Sequence, residues 1–440
     1  MDLAAYATAN LPRYTSYPTA PHFVPLSPDA HAAGLARIRA EDPVSLYLHV
    51  PFCHALCWYC GCHTTVTRSD ARIERYALAL LAEARLLHAA LPAHGPVTHL
   101  ALGGGTPSAL GAKRLAGVVR HLRRLFPFAP DAELSVELDP RTLTQDVVDA
   151  LAGAGFTRAS LGLQDANPEV QAKIGRIQPV EQVDEAMRRL RAAGIARINL
   201  DMMYGLPTQT VAHVEATART AAALGADRVA AFGYAHVPWM KPAQSAIRGE
   251  ELPGAAARMD QAAAAHGTLA ANGFLAIGLD HFARPDDPMA LAAAAGTLRR
   301  NFQGYTTDRA EVLLGLGCSA IGETPRGYAQ NIADERGWVA AVEAGLLPVA
   351  RGLELTEEDR IRRRAIERVM CDLRLDLAPL PLCIRAQATP GLRALARDGL
   401  VALEGDVVRV GEPGRRFLRH VAACFDGKLG TGSGRHSAAV

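Results

Sequence analysis

Four cysteines, Cys53, Cys57, Cys60 and Cys62, fall within ten residues. They stand in the run Pro51-Phe52-Cys53-His54-Ala55-Leu56-Cys57-Trp58-Tyr59-Cys60-Gly61-Cys62, a C-x3-C-x2-C-x-C spacing. The other four, Cys318, Cys371, Cys383 and Cys424, are scattered. A cluster of this kind in a reducing compartment reads as metal or redox chemistry rather than crosslinking. Four thiolates could close a tetrahedral zinc or iron site. Three could hold a [4Fe-4S] cluster and leave one iron open, or the thiols could be inert. The one-residue gap between Cys60 and Cys62 is tight for joint chelation, and no second CxxC or CxxH pair lies downstream, so the open cluster is favoured. An open coordination position is what makes a metal centre catalytic rather than structural.

A second group of residues suits a ligand beside such a centre. Gly103-Gly104-Gly105-Thr106-Pro107 lets the backbone approach a bound molecule and present its N–H and C=O groups. Glu137 is expected at the end of a third strand, Gln164 after a fourth and Asp201 after a fifth, where they would converge on one mouth and suit hydroxyls and an ammonium group. Arg176 could offer its fork to a carboxylate.

The elements that must position these residues follow from the hydrophobic pattern. Strands are predicted at 45–50, 97–102, 133–138, 159–163, 198–202 and 229–232, and helices at 72–91, 113–126 and 145–152. Three similar phrases, Gly155-Phe156-Thr157-Arg158, Gly194-Ile195-Ala196-Arg197 and Gly225-Ala226-Asp227-Arg228, each follow a helical stretch and lead into a strand. Glycine just past a helix takes the left-handed cap and turns the chain back. About six βα units predict an α/β protein with a parallel sheet or barrel, whose working residues sit at C-terminal strand ends.

The chain has 440 residues, room for two or three domains, and 49% hydrophobic residues, enough for a real core. Its 47 basic residues nearly balance 45 acidic ones, which argues against a coat for nucleic acid. Asp2 stands where a leader would be basic, and no apolar run reaches the roughly 18–20 residues of a membrane span, so a cytoplasmic protein is expected. Pro12-Arg13-Tyr14-Thr15-Ser16-Tyr17-Pro18-Thr19 excludes a regular element, and its composition favours a linker over an ordered arm. Beyond Thr356, a capping box at Thr356-Glu357-Glu358-Asp359 opens a helix over 360–371. A further helix ending near Gly399 and a hairpin of 400–403 with 407–410 then resemble a winged helix. Arg362, Arg363 and Arg364 would be its nucleic-acid face, but a small cap on the barrel is the favoured reading because no large positive excess exists.

Taken together, Cys-x3-Cys-x2-Cys with an aromatic before the third cysteine resembles the radical S-adenosylmethionine (SAM) enzymes, and within them the oxygen-independent coproporphyrinogen III oxidase (dehydrogenase) family. The similarity runs from Pro12 to about Phe425 and rests on PRYTSYPT, LYLHVPFCHALCWYCGC, GGGTP, SVELDP, GLQD, DMMYGLP, GYAH, GLDHFARPDD and NFQGYTT. It implies a partial (β/α)6 TIM-like barrel over 45–350, an N-terminal arm over 1–44, a smaller C-terminal helical or winged-helix-like domain over 351–428 and a disordered tail over 429–440. It implies one [4Fe-4S] cluster on Cys53, Cys57 and Cys60 and two SAM molecules per chain. Tyr47, Tyr59, Gly104, Gly105, Thr106, Glu137, Gln164, Arg176, Asp201, Ala235 and Ile321 match positions that contact SAM, with Cys62 and Tyr47 as catalytic candidates. The implied reaction uses a 5′-deoxyadenosyl radical to abstract hydrogen from two propionates of coproporphyrinogen III, giving the vinyl groups of protoporphyrinogen IX for haem biosynthesis. It needs an electron donor and an unidentified acceptor, and a monomer is expected. Arg13, Arg284, Arg299 and Arg300 are candidates for the propionates, and His281 a weaker site candidate. Leu373 and the segment after Phe425 depart from the family pattern. The rival is a related haem-chaperone branch that binds and transfers haem; it lacks the fourth cysteine and the RYTSYPT arm, so Cys62 and Arg13-Tyr14-Thr15 favour the oxidase.

Overall fold

The computed structural model describes residues 3–431. Asp2 and residues 432–440 of the expected tail lie outside the described residues; 429–431 form an exposed turn. Six parallel strands run side by side in chain order: β1 (Val44–Val50), β2 (Val97–Gly104), β3 (Phe128–Leu138), β4 (Arg158–Gln164), β5 (Arg197–Tyr204) and β6 (Arg228–Gly233). The helices α1 (Asp70–Ala90), α2 (Ala112–Leu125), α3 (Gln145–Gly153), α4 (Val180–Ala192) and α5 (Val211–Ala223) connect them, and α6 (Ala255–Ala271) follows β6. The hairpin β7 (Leu275–Ile277) and β8 (His281–Ala283) pairs antiparallel with β6. On the other side β9 (Val312–Leu316) joins β1 in parallel, and β10 (Ile321–Thr324), β11 (Gly327–Asn331) and β12 (Val349–Glu354) continue antiparallel. The two edges do not pair, so the 13-stranded sheet is open.

Most predicted strands match within two residues. β3 begins five residues earlier than predicted. Phe128 pairs with Val97 and Glu133 with His99, so the stretch between, including Pro130, bulges out of the ladder and reads locally as a turn. Asp201 lies inside β5 rather than after it.

Side chains alternate across a strand, and the two faces of this sheet differ sharply. Leu46, Leu48, Leu100, Leu102, Leu161 and Leu200 point outward and are fully buried in the main core with the helices. The inner face is polar, unlike the apolar runs usual for parallel strands covered on both sides. Near the strand N-termini Asp308 accepts from Ser45 and pairs with His99 at 3.0 Å; Arg158 pairs with Glu133 at 3.1 Å and Arg228 with Asp287 at 2.6 Å. These pairs satisfy one another and plug that end, while the C-terminal end stays open.

The C-terminal part contains α7 (Glu335–Glu343), α8 (Glu357–Asp372) and α9 (Leu382–Arg397), then the hairpin Val401–Glu404 with Val407–Val410, which also pairs with Arg374–Asp376. Thr356 and Asp359 form the expected capping box. The arginine face does not exist. Arg362 is buried, donating to Glu358, Gln387 and the Phe425 carbonyl; Arg363 clamps Glu323; only Arg364 is exposed, 3.6 Å from Glu357. These residues staple α8 to its neighbours.

The segment around Pro12 is not a linker. Tyr14 and Tyr17 are buried with Phe417, Leu418 and Phe425 in a second core. The Tyr14 hydroxyl donates to Asp426 at 3.0 Å, and the Gly427 N–H donates to the Tyr17 oxygen at 3.0 Å. Arg419 donates to the Pro12 carbonyl, and Arg300 to those of Arg13 and Tyr14. Composition showed that this stretch lacks its own ladder; it could not show that distant side chains would satisfy its carbonyls.

Candidate active site

A cavity of about 620 Å³ opens at the C-terminal ends of β1–β6. The loop after β1 supplies Cys53, Cys57, Cys60 and Cys62 to its wall, and all eight cysteines are free thiols. Short pairing of Phe52–Cys53 with Thr65–Val66 pinches the base of the loop. The Trp58 N–H donates to the Ile174 carbonyl at 2.9 Å, and the Cys60 N–H to that of Cys57 at 3.1 Å, closing a tight turn. Cys57 receives two guanidiniums, Arg141 at 3.3 Å and Arg176 at 3.4 Å from its sulfur. Asp139 orients both, accepting from Arg141 at 2.6 Å and Arg176 at 3.4 Å. Burial would push the Asp139 carboxyl up, but the Arg141 hydrogen bond and the Arg176 charge hold it below the ordinary range. A hydrogen bond from Cys62 draws the Cys60 thiol down to about 6, and the same contact pushes Cys62 well up.

The glycines of the second loop are fixed by space. A methyl group on Gly105 would stand 2.4 Å from the Phe52 carbonyl oxygen. One on Gly104, at φ +116°, would stand 2.8 Å from that of Val50. The Gly104 N–H donates to Glu137 at 3.2 Å. Thr106 is buried beneath the wall, where its hydroxyl accepts from the Asp139 N–H at 3.2 Å and so sets that carboxylate.

Opposite the thiols, β4 projects Ser160, Gly162 and Gln164 into the cavity, and β5 projects Asp201 and Met203. Glu137 is open only to this walled chamber; that enclosure, with Asp201 nearby, pushes its carboxyl up to about 7. Burial also raises Asp201, against hydrogen bonds from Asn199 at 2.7 Å and Ser160 at 3.3 Å. Gln164 ends β4 at φ +65°. Arg176 and Gln178 both donate to the Gly162 carbonyl, at 3.0 and 2.9 Å. Burial opposes the Arg176 charge, but Tyr59, Asp139 and Cys57 keep it protonated, and its Nε is buried with no partner. Tyr59 and Ala235 also line the cavity.

Three expected site residues do not reach the wall. Thr106 acts from behind, as described. Tyr47 lies on the inner face of β1 with its hydroxyl 3.1 Å from His49 Nδ1. Ile321 packs on β10 against Phe23, Tyr328 and Leu355, away from the cavity. Of the proposed substrate cations only Arg13 lines the cavity, donating to the Gly233 carbonyl at 3.1 Å. Arg284 stacks on Phe274 and donates to two carbonyls, Arg299 pairs with Glu367, and Arg300 holds the arm. His281 bonds Asp280 at 2.7 Å in an adjoining pocket. Sequence reasoning missed Asp139 and Arg141, although a charged pair two and four residues past Glu137 met the same strand-end criterion. It also missed Lys241, which donates to the Cys62 carbonyl at 2.9 Å, and Gln244, which donates to that of Tyr59 at 3.0 Å; neither carries a motif.

The donor set fits a cluster with one open iron and a bound SAM. Three free thiols share a wall with a glycine cradle that admits no Cβ, a carboxylate pair and a guanidinium nitrogen without a partner. Among the described residues no three His, Cys, Asp or Glu side chains converge on a single-ion site, which disfavours the closed zinc reading.

A model of the Radical SAM superfamily matches residues 47–221. An oxygen-independent coproporphyrinogen III oxidase of Bradyrhizobium diazoefficiens is 47% identical over 449 residues, covering 100% of this chain and 99% of that one. Its counterpart in Escherichia coli (strain K12) is 40% identical over 436 residues, 97% of this chain and 95% of that one. The solved structure of the coproporphyrinogen III oxidase HemN from Escherichia coli, described as a radical SAM enzyme, matches with a TM-score of 0.89 at 39% identity, covering 95% of this chain and 98% of that one.

Proposed function

This chain belongs to the oxygen-independent coproporphyrinogen III oxidase family of radical SAM enzymes, and on that footing we propose that it converts two propionates of coproporphyrinogen III to vinyl groups, giving protoporphyrinogen IX. The observation that carries the reading is the meeting of Cys53, Cys57 and Cys60 with Gly104, Gly105, Glu137 and Asp201 around one cavity.

Cys53, Cys57 and Cys60 would hold the [4Fe-4S] cluster. Gly104, Gly105, Tyr59, Glu137, Gln164, Arg176, Asp201 and Ala235 would hold SAM. When bound, the pair supplies one-electron cleavage of a sulfonium and hydrogen-atom abstraction. The chain's own residues prepare that chemistry. Arg141 and Arg176 stabilise negative charge on the Cys57 sulfur. Glu137 and Asp201 offer acceptors to hydroxyls, and Arg176 offers a donor to a carboxylate. Met203, Phe232 and Tyr234 form an apolar wall that keeps water from a reactive carbon. Each propionate loses one hydrogen atom from its β-carbon, then CO2 and one further electron, leaving a carbon–carbon double bond. Two propionates react, which suits two SAM molecules per chain. Cys62, on the wall, and Tyr47, behind it, serve the reacting end. An external carrier donates the cluster's electron, and a separate acceptor takes the last one. We place the protein in the cytoplasm as a monomer: its thiols are all unpaired, the cavity is lined by one chain, and no described helix is long and apolar enough to cross a membrane.

The test is an anaerobic assay of the reconstituted protein with SAM, a reductant and coproporphyrinogen III. Protoporphyrinogen IX and CO2 are expected from the wild type and neither from Cys57→Ala. Stoichiometric haem binding without decarboxylation would instead establish the chaperone.

A further inference from the structure

The far side of the main cavity adjoins a small second pocket of about 60 Å³, and the two share Arg13, Gly233, Tyr234 and Ala235. The second pocket is unusual in its charge. Five guanidiniums line it: Arg13 from the arm, Arg258 from α6, and Arg415, Arg416 and Arg419 from the C-terminal segment. Two carboxylates face them, and both are engaged. Glu412 lies 3.5 Å from Arg415 and 3.4 Å from His266, and Asp280 accepts from His281 at 2.7 Å. Three arginines are set by backbone carbonyls: Arg13 by Gly233, Arg258 by Tyr234 at 2.8 Å, and Arg419 by Pro12 at 3.0 Å. Burial lowers the pKa of Arg258 and brings Arg419 down to about 10, with the charge of Arg13 adding to both effects. These cations repel one another in a partly desolvated place. Such an arrangement costs stability unless an anion enters.

We propose that Arg13, Arg258 and Arg419 form a carboxylate anchor that grips the propionates the reaction leaves intact. This rests on the proposed substrate, whose four propionates include two that persist in the product. The pocket admits a carboxylate but not a pyrrole ring, so a side chain would enter it while the macrocycle stays in the larger cavity. The shared wall at Gly233–Ala235 gives a direct path between the two. Guanidinium forks match carboxylates in a way that a lone ammonium does not. The anchor therefore holds the substrate by groups that do not react and presents the others to the cysteine loop.

The test uses the anaerobically reconstituted holoenzyme and fluorescence titration with coproporphyrin III, its tetramethyl ester and protoporphyrin IX. Arg13→Gln and Arg258→Gln should each weaken both free acids by about 10- to 100-fold. The ester should bind wild type and variants equally poorly, and SAM affinity should stay within about twofold. Arg258→Lys should recover part of the loss, which a purely structural role would not produce. Arg13 is exposed, so Arg13→Gln keeps the test sound if the Arg258 variants fold poorly. Free-acid binding equal to wild type in folded variants overturns the anchor and leaves the enzymatic reading intact. A wild type that neither converts coproporphyrinogen III nor binds the free acids overturns both.

Discussion

The two ends of the chamber are built in opposite ways. At one end four cysteines come from a single ten-residue loop, and the residues that tune them lie on adjacent strands. At the other, three arginines come from positions 13, 258 and 419, on an arm, a helix and a C-terminal segment. The difference follows from what each must bind. A compact inorganic group needs ligands at short, fixed separations, which a tight loop supplies. A wide, flexible macrocycle needs charges far apart, which only tertiary structure can place.

The comparison can be broken or sharpened by experiment, beginning with the largest effect. Cys57→Ala should abolish bound iron–sulfur absorbance and reduce turnover by at least about 1,000-fold. Coproporphyrin III affinity should stay within about threefold, because the arginine end does not depend on the loop; parallel loss of both would show the ends to be coupled. The mirror case is Arg13→Gln, which should weaken tetrapyrrole binding while iron content and SAM affinity hold. Arg176→Gln probes the middle of the chamber. Removing a buried guanidinium that serves Cys57, Asp139 and the Gly162 carbonyl should raise the KM for SAM by about 10- to 100-fold with the cluster still present. Complete loss of iron in that variant would instead make Arg176 a support for the loop alone.

The smallest effect concerns the scaffold that both ends share. Glu83 on α1 is buried, accepting from the Gly317 N–H at 2.7 Å and from Asn331 at 2.5 Å, and burial pushes its carboxyl up from 4.5 to about 7. The folded state thus holds this proton more tightly than the unfolded one. The stabilising contribution is full below about 4.5 and is lost as pH rises through about 7, by at most about 3 kcal/mol. Urea midpoints of Glu83→Gln should vary less than those of wild type across that window, with affinities at both ends unchanged. An identical pH slope in the two proteins would remove Glu83 as its source.

What the sequence revealed tracks the same division. The βα elements were legible because apolar runs, amphipathic helices and the glycines at 155, 194 and 225 recur in register. The cysteine loop, Gly104, Gly105, Glu137 and Gln164 were legible because each sits at or just past a strand end. Asp201 was found for the wrong position, since an inward-facing residue mid-strand looks the same as one at the rim. β9 escaped notice because its pairing with β1 joins positions far apart in the chain. Arg258 was invisible for a similar reason: it stands in an alanine-rich helix, and nothing nearby announces its meeting with Arg13. Arg284, Arg299 and Arg300 had equal claims by charge, and only packing shows that they support the structure. Ile321 followed the resemblance rather than any local signal, and here it lies against a separate apolar cluster.

One junction governs the order in which the chamber can be assembled. The phenol of Tyr14 is held by Asp426, 412 positions later, and the same tie brings Arg13 over the mouth. A ribosome-bound chain that has released α5 already owns the cysteine loop, yet its roof must wait for almost the whole of synthesis. Metal loading could thus run ahead of substrate competence, and a nascent enzyme could be charged with its cluster before it is able to hold a tetrapyrrole.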